Sequence, residues 1–499
     1  MLGMHMGRVP AACAWEESGE SRRVDTCDWI DWINRASIVA NVESGLIEKP
    51  LARRIAAALD DFAREAEAPG AVRPELYITF EPEILKRAGM AASVLHVGRS
   101  SQDILATANA GLNLGRLTRL LAAAHEVVDA LLKTARREID ALVPAYTNGV
   151  QAQPTLWSHY LHAVALSFLR DCARIRECIS RHDVCPMGSC VCNGTGWPLN
   201  SARMAELLGF SRPARNAFDA GQICGNDMPL EISQIVTSLM IHATAPLADF
   251  MTQYAAPHPW FRFKSANGVY RSSAMPQKRN PGLINDCRRD SGLVMSASQG
   301  VLLRLQNLPY GMADARDARI MEALADDACV VLRTLAGIIS SLEVDRERAL
   351  AELNADWTAS QEIADRLVRV GGVDFRSGHR FASRLVGWAR EAGVTPKTLQ
   401  YADACRIWTE FQPEAAQAGT ELPSALPLEE AVFMDALDPM GILNARATAG
   451  SANPQNMKYM LDSAEADASL VALHVKFLRD SEARMPLKLR EALEKTLAE

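Results

Sequence analysis

Residues 114–142 read LGRLTRLLAAAHEVVDALLKTARREIDAL, and their pattern indicates the fold class. Its apolar positions recur every three or four residues, with arginine and glutamate between them, at Leu117, Leu120, Leu121, His125, Val128, Leu131 and Leu132. This spacing is typical of a helix with one buried side. The predicted helix is much longer than the ordinary length of about 11 to 12 residues.

Similar patterns predict further long helices over residues 157–182, 228–255, 285–305 and 318–342. Helices of this length span roughly 30 to 45 Å, so they must lie side by side to bury their apolar stripes. Alternating strand patterns are almost absent. We therefore predict a mainly α fold built on a central bundle of long helices.

Shorter helical patterns flank the bundle on both sides. Prolines and the Pro69-Gly70 turn break the earlier segment, and Gly371-Gly372 and Asp438-Pro439 interrupt the later one. The sequence predicts three domains: an N-terminal helical domain over residues 1–98, the long-helix bundle over 99–350, and a C-terminal domain of short helices over 351–499.

Composition excludes several classes of protein. The chain has 499 residues, of which 48% are hydrophobic and 23% charged, which excludes a disordered protein. A net charge of −7 makes a nucleic-acid partner unexpected. No apolar stretch suggests a membrane span, and the first residues do not resemble a secretion signal. We expect a cytoplasmic protein.

The chain contains 11 cysteines, and we expect them to be reduced thiols. One cluster, Cys185, Cys190 and Cys192, lacks the spacing of a zinc site. No dinucleotide-binding or phosphate-binding glycine motif is present. The sequence predicts neither a metal nor a cofactor.

The most informative loop is residues 271–281, RSSAMPQKRNP. Ser272, Lys278 and Asn280 could surround a small carboxylate, with the lysine supplying charge and the serine a reactive oxygen. A solvated basic turn explains the same composition. The loop alone leaves both interpretations open.

A second loop, residues 98–103, reads GRSSQD and enters a helix. A cation, hydroxyls and free amides at a helix N-terminus can bind an anion. Ser101 and Asp103 could equally be ordinary capping residues. Two further polar segments, 146–154 (YTNGVQAQP) and 186–196, are weak signals by themselves.

In this order and at these separations, the segments resemble the fumarase/aspartase superfamily and, within it, the argininosuccinate lyase branch. Residues 271–281 are similar to the signature G-S-S-x-M-P-x-K-x-N-P, except at Arg271, where glycine is usual. LHVGRSSQD at 95–103 resembles L-H-T-G-R-S-R-N-D, and YTNGVQAQP at 146–154 resembles Y-T-H-L-Q-R-A-Q-P.

The resemblance implies a homotetramer with a twenty-helix core, whose active sites are built from loops of three subunits. It implies reversible elimination of fumarate, with Ser272 removing the Cβ proton while Lys278 and Asn280 hold a substrate carboxylate. The other residues implied to line the dicarboxylate pocket are Arg99, Ser100, Ser101, Gln102, Thr147 and Gln153.

Two departures concern catalysis. The family has a histidine where this chain has Asn148, and its usual partner, a glutamate, is replaced by Asn285. Losing both removes a buried charge together with its partner. Asparagine cannot transfer a proton near neutral pH, so the leaving group must be protonated by another route.

The segment 308–319 also departs from the branch pattern on the side that binds the leaving group. With one gap, Arg316 and Arg319 take the places of a glutamine and a lysine; without it, Asp317 and Ile320 do. Ser101 replaces an arginine of the family motif, and Gln102 an asparagine.

These changes spare the residues for the fumarate half and alter those for the amine half. We therefore predict a carbon–nitrogen lyase acting on an N-substituted aspartate other than argininosuccinate, similar in kind to ethylenediamine-disuccinate lyases, which also lack the histidine. Its partners would be a dicarboxylate, an amine and other copies of the chain. The alternatives are argininosuccinate lyase proper and a non-catalytic, crystallin-like member.

Overall fold

The computed structural model describes residues 22–264, 268–312 and 318–498. Helices dominate these residues, and the strands are short and paired in twos. This confirms the mainly α fold with its bundle of long helices.

The N-terminal segment forms three helices: α1 (Thr26–Glu43), α2 (Lys49–Ala66) and α3 (Tyr77–Ala88). Helix α1 begins where Asp25 and Asp28 each accept a hydrogen bond from the other's backbone amide, a capping box. A 3₁₀ turn, Met90–His96, leads into the bundle.

Six helices form the central region: α4 (Ser101–Arg137), α5 (Trp157–His182), α6 (Ser201–Leu207), α7 (Cys224–Tyr254), α8 (Gly282–Leu305) and α9 (Ala318–Ser341). Helix α4 packs between α5 and α9, and α7 packs against α8. The predicted apolar stripe of α4 is buried except for His125, which is half-buried. The four other long helices match their predictions apart from a few residues at their ends.

The predicted bounds of α4 were wrong, because the helix runs over Ser101–Arg137 and not over 114–142. Its first part is rich in small residues. A Cβ on Gly111 would lie 1.9 Å from Cζ2 of Trp29, so the missing side chain lets α1 pack directly against α4. This burial comes from a distant helix, and a local apolar pattern cannot reveal it.

The strands form three antiparallel pairs: β1 (Leu142–Thr147) with β2 (Val150–Leu156), β3 (Phe261–Phe263) with β6 (Leu342–Val344), and β4 (Tyr270–Arg271) with β5 (Arg279–Asn280). The polar segment 146–154 belongs to the β1–β2 hairpin.

The C-terminal segment begins with short helices, as predicted: α10 (Arg346–Leu353), α11 (Ser360–Arg369), α12 (Phe375–Glu391), α13 (Tyr401–Gln417), α14 (Glu430–Asp435) and α15 (Pro439–Asn444). The chain then forms α16 (Pro454–Ala498), a helix of 45 residues, so the expectation of short helices to the end was wrong. Helix α16 packs on α4, α5 and α1. The domain boundaries at residues 98 and 350 stay a prediction.

One described stretch, Asp219–Tyr254, is long and apolar enough to cross a membrane by length and composition, contrary to our expectation. It consists of a π-helical turn, Asp219–Ile223, and α7. Leu239 and Leu247 are fully buried among the other bundle helices. A helix at the core of a large bundle has this composition too, and we interpret α7 in that way.

The long helices run in alternating directions, so the bundle has two ends. At the first, named the hairpin end, α4 finishes beside β1 and α5 begins after β2. At the second, named the cap end, α4 and α7 begin and α5 finishes. Helix α4 has 37 residues and therefore spans roughly 55 Å between the two ends.

Candidate active site

The loop between β4 and β5 carries the predicted base. The backbone amide of Ser272 donates to the carbonyl of Lys278 at 3.3 Å, which closes the loop below the β4–β5 pair. The amide of Lys278 donates to the carbonyl of Met275 at 3.0 Å. These bonds place Ser272 and Lys278 on one short, exposed hairpin.

The hydroxyl oxygen of Ser272 accepts two hydrogen bonds from its own loop. The amide of Met275 donates at 3.2 Å and that of Ala274 at 3.4 Å. Donors directed at an oxygen favour its ionised form over its neutral form. The loop therefore supports negative charge on the atom that the sequence predicts to remove a proton.

Lys278 and Asn280 complete the group of polar side chains on this hairpin. Within the described ranges, no hydrogen bond or ion pair engages the Lys278 ammonium, and the residue is exposed. The Asn280 side chain donates a long hydrogen bond, 3.5 Å, to the carbonyl of Tyr270. A cation and an amide are thus available to a carboxylate beside the Ser272 hydroxyl.

Thr147 and Asn148 lie at the tip of the β1–β2 hairpin, and both are exposed. Asn148 and Gly149 form its two-residue turn, with φ of 51° and 76°. Positive φ at both positions is the type I′ turn that favours Asn-Gly. The turn therefore explains why an asparagine is favoured at position 148, where the family has its relay histidine.

Gln153 lies on β2 and contacts the C-terminal segment, where its side-chain amide donates to Oε1 of Gln361. Gln151, two residues earlier, donates to the carbonyl of Glu352 at 3.2 Å. The hairpin is thereby held against α10 and α11. The Gln153 side chain, which was predicted to bind substrate, is thus hydrogen-bonded to another residue of the protein.

Arg99 is turned into the protein. It is 6% exposed, and its guanidinium donates to Oγ of Ser37 at 2.9 Å and to the Tyr77 hydroxyl at 3.0 Å. Its Nε is buried without a hydrogen-bond partner among the described residues. A contact between Arg99 and substrate would require the guanidinium to leave these two hydroxyls.

The start of α4 supports the interpretation of residues 98–103 as a helix cap, although the capping serine is not the predicted one. Ser100, and not Ser101, is the N-cap, and it shares a capping box with Asp103. Asp103 is fully buried, and its carboxylate also accepts from the amides of Gly188 at 3.4 Å and Cys190 at 3.1 Å. Burial raises the pKa of Asp103 to about 6, although these hydrogen bonds oppose the shift.

Ser101 lies half-buried in the first turn of α4. Gln102, beside it, donates to the carbonyl of Gly221 at 2.9 Å. Tyr310 lies at the same end, where its ring meets that of Phe218 edge-on at 6.5 Å. Arg316 and Asp317 lie outside the described residues, and Arg319 is exposed in the first turn of α9.

The predicted site residues therefore form two groups in one chain. Ser272, Lys278, Asn280 and Thr147 belong to the hairpin end, because the chain between α7 and α8 passes β3, which pairs with β6 after α9. Arg99, Ser100, Ser101 and Gln102 belong to the cap end. The length of α4 separates the groups, so one chain does not bring them together.

Asn285, the second residue of the lost relay, is hydrogen-bonded within its own helix. Asn285 is exposed in the first turn of α8, and its side-chain oxygen accepts from Arg288 at 3.2 Å. Within the described part of the chain, no hydrogen bond links Asn285 to Asn148.

Some residues near these groups have a larger role than the sequence indicates. Asp103 was considered only as a cap, yet it joins the start of α4 to the loop 186–196. Gln222 was not considered, and its amide donates to the carbonyl of Val191 at 2.7 Å while its oxygen lies 3.4 Å from Nε2 of Gln102. The Asn148-Gly149 pair was a recognisable hairpin signal.

Two family models and several named relatives match the chain. Residues 27–295 match the family described as Lyase, and residues 357–443 match the one described as Argininosuccinate lyase C-terminal. Argininosuccinate lyase 2 of Agrobacterium fabrum is 32% identical over 364 residues, which are 71% of each chain. The argininosuccinate lyase of Methanoculleus marisnigri is 31% identical over 408 residues, 78% of this chain and 81% of the relative.

Solved structures agree in fold. EDDS lyase in complex with formate superposes with a TM-score of 0.83 at 22% identity, covering 95% of this chain and 92% of the other. A class II fumarase from Schistosoma mansoni gives a TM-score of 0.64 at 14% identity, covering 83% and 90%. Together with the family matches, these similarities show that the chain belongs to the argininosuccinate lyase branch of the fumarase/aspartase superfamily and is a fumarate-releasing carbon–nitrogen lyase.

Proposed function

We propose that the protein reversibly eliminates fumarate from an N-substituted aspartate other than argininosuccinate, with Ser272 as the base. The observation that carries this proposal is the β4–β5 hairpin. It holds a hydroxyl oxygen that accepts two backbone hydrogen bonds, next to an exposed lysine that has no side-chain partner among the described residues. Such a group suits a reaction in which negative charge develops on a clamped dicarboxylate.

In this proposal the Ser272 oxygen, as an alkoxide, takes the proton from Cβ of the aspartate half. The electron pair left on carbon spreads into the adjacent carboxylate, which Lys278 and Asn280 bind. Return of the pair forms the C–C double bond of fumarate and breaks the C–N bond. Thr147 contributes a hydroxyl to the same carboxylate pocket.

The complete site would be shared between copies of the chain, in a homotetramer. One chain separates the Ser272 group from the Gln102 group by the length of α4, so other copies must supply the missing residues, in line with the three subunits that the resemblance implies for each site. The bundle surface is suited to association, because it exposes large apolar side chains, among them Ile241, Leu293, Leu303, Leu473 and Phe477.

The residues expected on the amine side of the substrate distinguish this chain from the rest of the family. Asn148 and Asn285 carry no group that titrates near neutral pH, so neither can protonate the departing nitrogen. We propose that the nitrogen is protonated by water or leaves as an amine basic enough to carry its own proton. In the first turn of α4, Ser101 stands in place of an arginine and removes a positive charge, whereas Gln102 replaces an asparagine with a longer neutral amide.

The test is a fumarate-addition assay on the purified full chain. Fumarate is incubated with a panel of amines, and the loss of its absorbance is followed. Native protein should consume fumarate with at least one amine, and Ser272→Ala should slow this by at least about a hundredfold. Ser273→Ala, which removes the neighbouring hydroxyl, is the matched control and should retain most of the rate. Binding of fumarate without turnover of any amine would instead support a non-catalytic member.

Argininosuccinate lyase proper is the second candidate, since relatives of that name match most of the chain at 31% and 32% identity. It requires arginine to form from argininosuccinate at high enzyme concentration.

We place either activity in the cytoplasm, because the ten cysteines of the described ranges are all free thiols.

A further inference from the structure

One group of buried side chains outside these loops has the composition of a metal site. Cys178 and His182 of α5 and Glu231 of α7 each place one ligand atom within 4.8 Å of the other two. Cys178 is 0% and His182 is 4% exposed, and the Glu231 side chain is 22% exposed. None of the three takes part in the proposed elimination.

The helix geometry explains why these atoms meet. Cys178 and His182 are four residues apart on α5, so their side chains lie on the same face, one turn apart. Helix α7 packs against α5 and presents Glu231 to that face. The ligand atoms therefore come from two rigid helices, which favours a defined geometry over an adaptable one.

A proton occupies the position that a cation would take. Nε2 of His182 lies 2.9 Å from Oε2 of Glu231. Although burial opposes ionisation, hydrogen bonds from Arg181 and His182 hold the pKa of Glu231 below its ordinary value, so its oxygens only accept. The hydrogen must therefore be on Nε2, between the ring and the carboxylate.

We propose that Cys178, His182 and Glu231 bind one zinc-like divalent cation, which links the end of α5 to the start of α7. Thiolate, imidazole and carboxylate are the ligands that zinc and cobalt(II) accept together. A tetrahedral site with bonds of about 2.0 to 2.3 Å has edges of roughly 3.5 Å. The present atoms need to approach by about an ångström, and the fourth position is open to water.

The proton balance of binding is simple. The Cys178 thiol loses its proton to solvent, and the metal replaces it. On His182 the proton leaves Nε2 and Nδ1 carries one instead, facing the sulfur of Cys224 3.6 Å away. Oε2 of Glu231 turns to the metal while Oε1 keeps its hydrogen bond from Arg181. Burial raises the pKa of the Cys178 thiol, so the metal itself has to drive this deprotonation.

The location suggests a structural role. The cluster lies at the cap end, where the π-helical turn before α7 provides the Gly221 carbonyl that accepts from Gln102. A cation there would hold the helix ends that carry this contact. Ser272 lies at the other end of the bundle, so metal binding at the proposed site does not depend on the elimination reaction.

The test is metal titration of the full-length protein after chelation and dialysis. Calorimetry with zinc should give one ion per chain. Cobalt(II) should give a thiolate-to-metal charge-transfer band that zinc removes. Cys178→Ser should abolish the band, and Glu231→Gln should weaken zinc binding at least about tenfold.

Cys172→Ser is the matched control. Cys172 is equally buried on the same helix but lies outside the cluster, and its substitution should leave stoichiometry and band unchanged. Circular dichroism identifies any variant that fails to fold, and Glu231→Gln keeps the shape of the side chain. The proposal is overturned if chelated native protein binds neither ion, or if Cys178→Ser and Glu231→Gln bind both ions as the native protein does.

Discussion

The carboxylate of Asp103 accepts a hydrogen bond from the backbone amide of Cys190, 3.1 Å away, although 87 positions separate the two residues along the chain. The same carboxylate accepts from the amide of Ser100, the N-cap of α4. One buried group thus fixes the start of α4, with Gln102 on it, against the glycine-rich loop 186–196. It positions the cap-end residues without having to touch a substrate.

Asp103 should make stability depend on pH in a predictable direction. Its pKa is about 6 in the fold, raised chiefly by burial from an ordinary value of 3.8, so the folded state binds the proton more tightly than the unfolded state. Its contribution to the free energy of unfolding is therefore fully present below about pH 4 and is lost as the pH rises through about 6. The difference in unfolding free energy, native protein minus Asp103→Asn, should fall over this interval in urea titrations. A flat difference for Asp103→Asn would contradict the assignment.

Gly111 should tolerate no larger side chain. A Cβ there would lie 1.9 Å from Cζ2 of Trp29, so Gly111→Ala should lower the free energy of unfolding by about 1 to 3 kcal/mol through overpacking of α1 on α4. Gly387→Ala on α12 is the matched control, since nothing lies within 4 Å of its Cβ position. That change should raise stability by about 0.5 to 1 kcal/mol, because alanine loses less backbone entropy than glycine in a helix. Equal effects of the two substitutions in urea denaturation would refute the close contact.

The long helices were predictable because each carries its own apolar stripe. Exceptions arise where burial depends on a distant partner or where a regular stripe was overlooked. The first part of α4 is buried by Trp29, from an element far away in sequence. Helix α16 does show a pattern, with buried residues at steps of four and three: Met457, Leu461, Ala464, Ala468, Val471 and Val475.

The candidate site was only partly predictable. A motif can assign chemistry to Ser272 or Gln102, but it contains no information on which end of a helix bundle each will occupy. The inward turn of Arg99 also depends on Ser37 and Tyr77, which belong to other helices. Distances between segments follow from packing, and packing is not a property of any single segment.

Asn148 forms the hairpin turn and also stands where the family has its relay histidine, so we expect its amide to contact the substrate. Two substitutions separate these two roles. Asn148→Ala should cost about 1 kcal/mol of stability, because alanine resists the φ of 51° that the turn requires. Asn148→Gly keeps that conformation and should retain native stability. Turnover in the fumarate-addition assay should fall up to about tenfold in both, since both lose the amide. Full activity in Asn148→Gly would show that the amide does not contact the substrate and that asparagine serves the turn alone.

The proposal of a shared site predicts complementation between inactive variants. Ser272→Ala disables the hairpin end of each chain, and Gln102→Ala disables the cap end. If every site takes its Ser272 group and its Gln102 group from different chains, mixed assemblies contain sites in which both groups are native. When the two proteins are mixed, dissociated and reassembled in equal amounts, about a quarter of the sites should recover activity.

The control for this experiment uses two variants of the same hairpin, Ser272→Ala and Lys278→Ala. Every site in their mixture receives a damaged hairpin from whichever chain supplies it, so activity should not return. Light scattering before and after mixing verifies that all three variants reassemble to the native size. Recovery in both mixtures, or in neither, would mean that Ser272 and Gln102 do not meet across a subunit boundary. The separation of roughly 55 Å along α4 would then place them in different functions and not in one site.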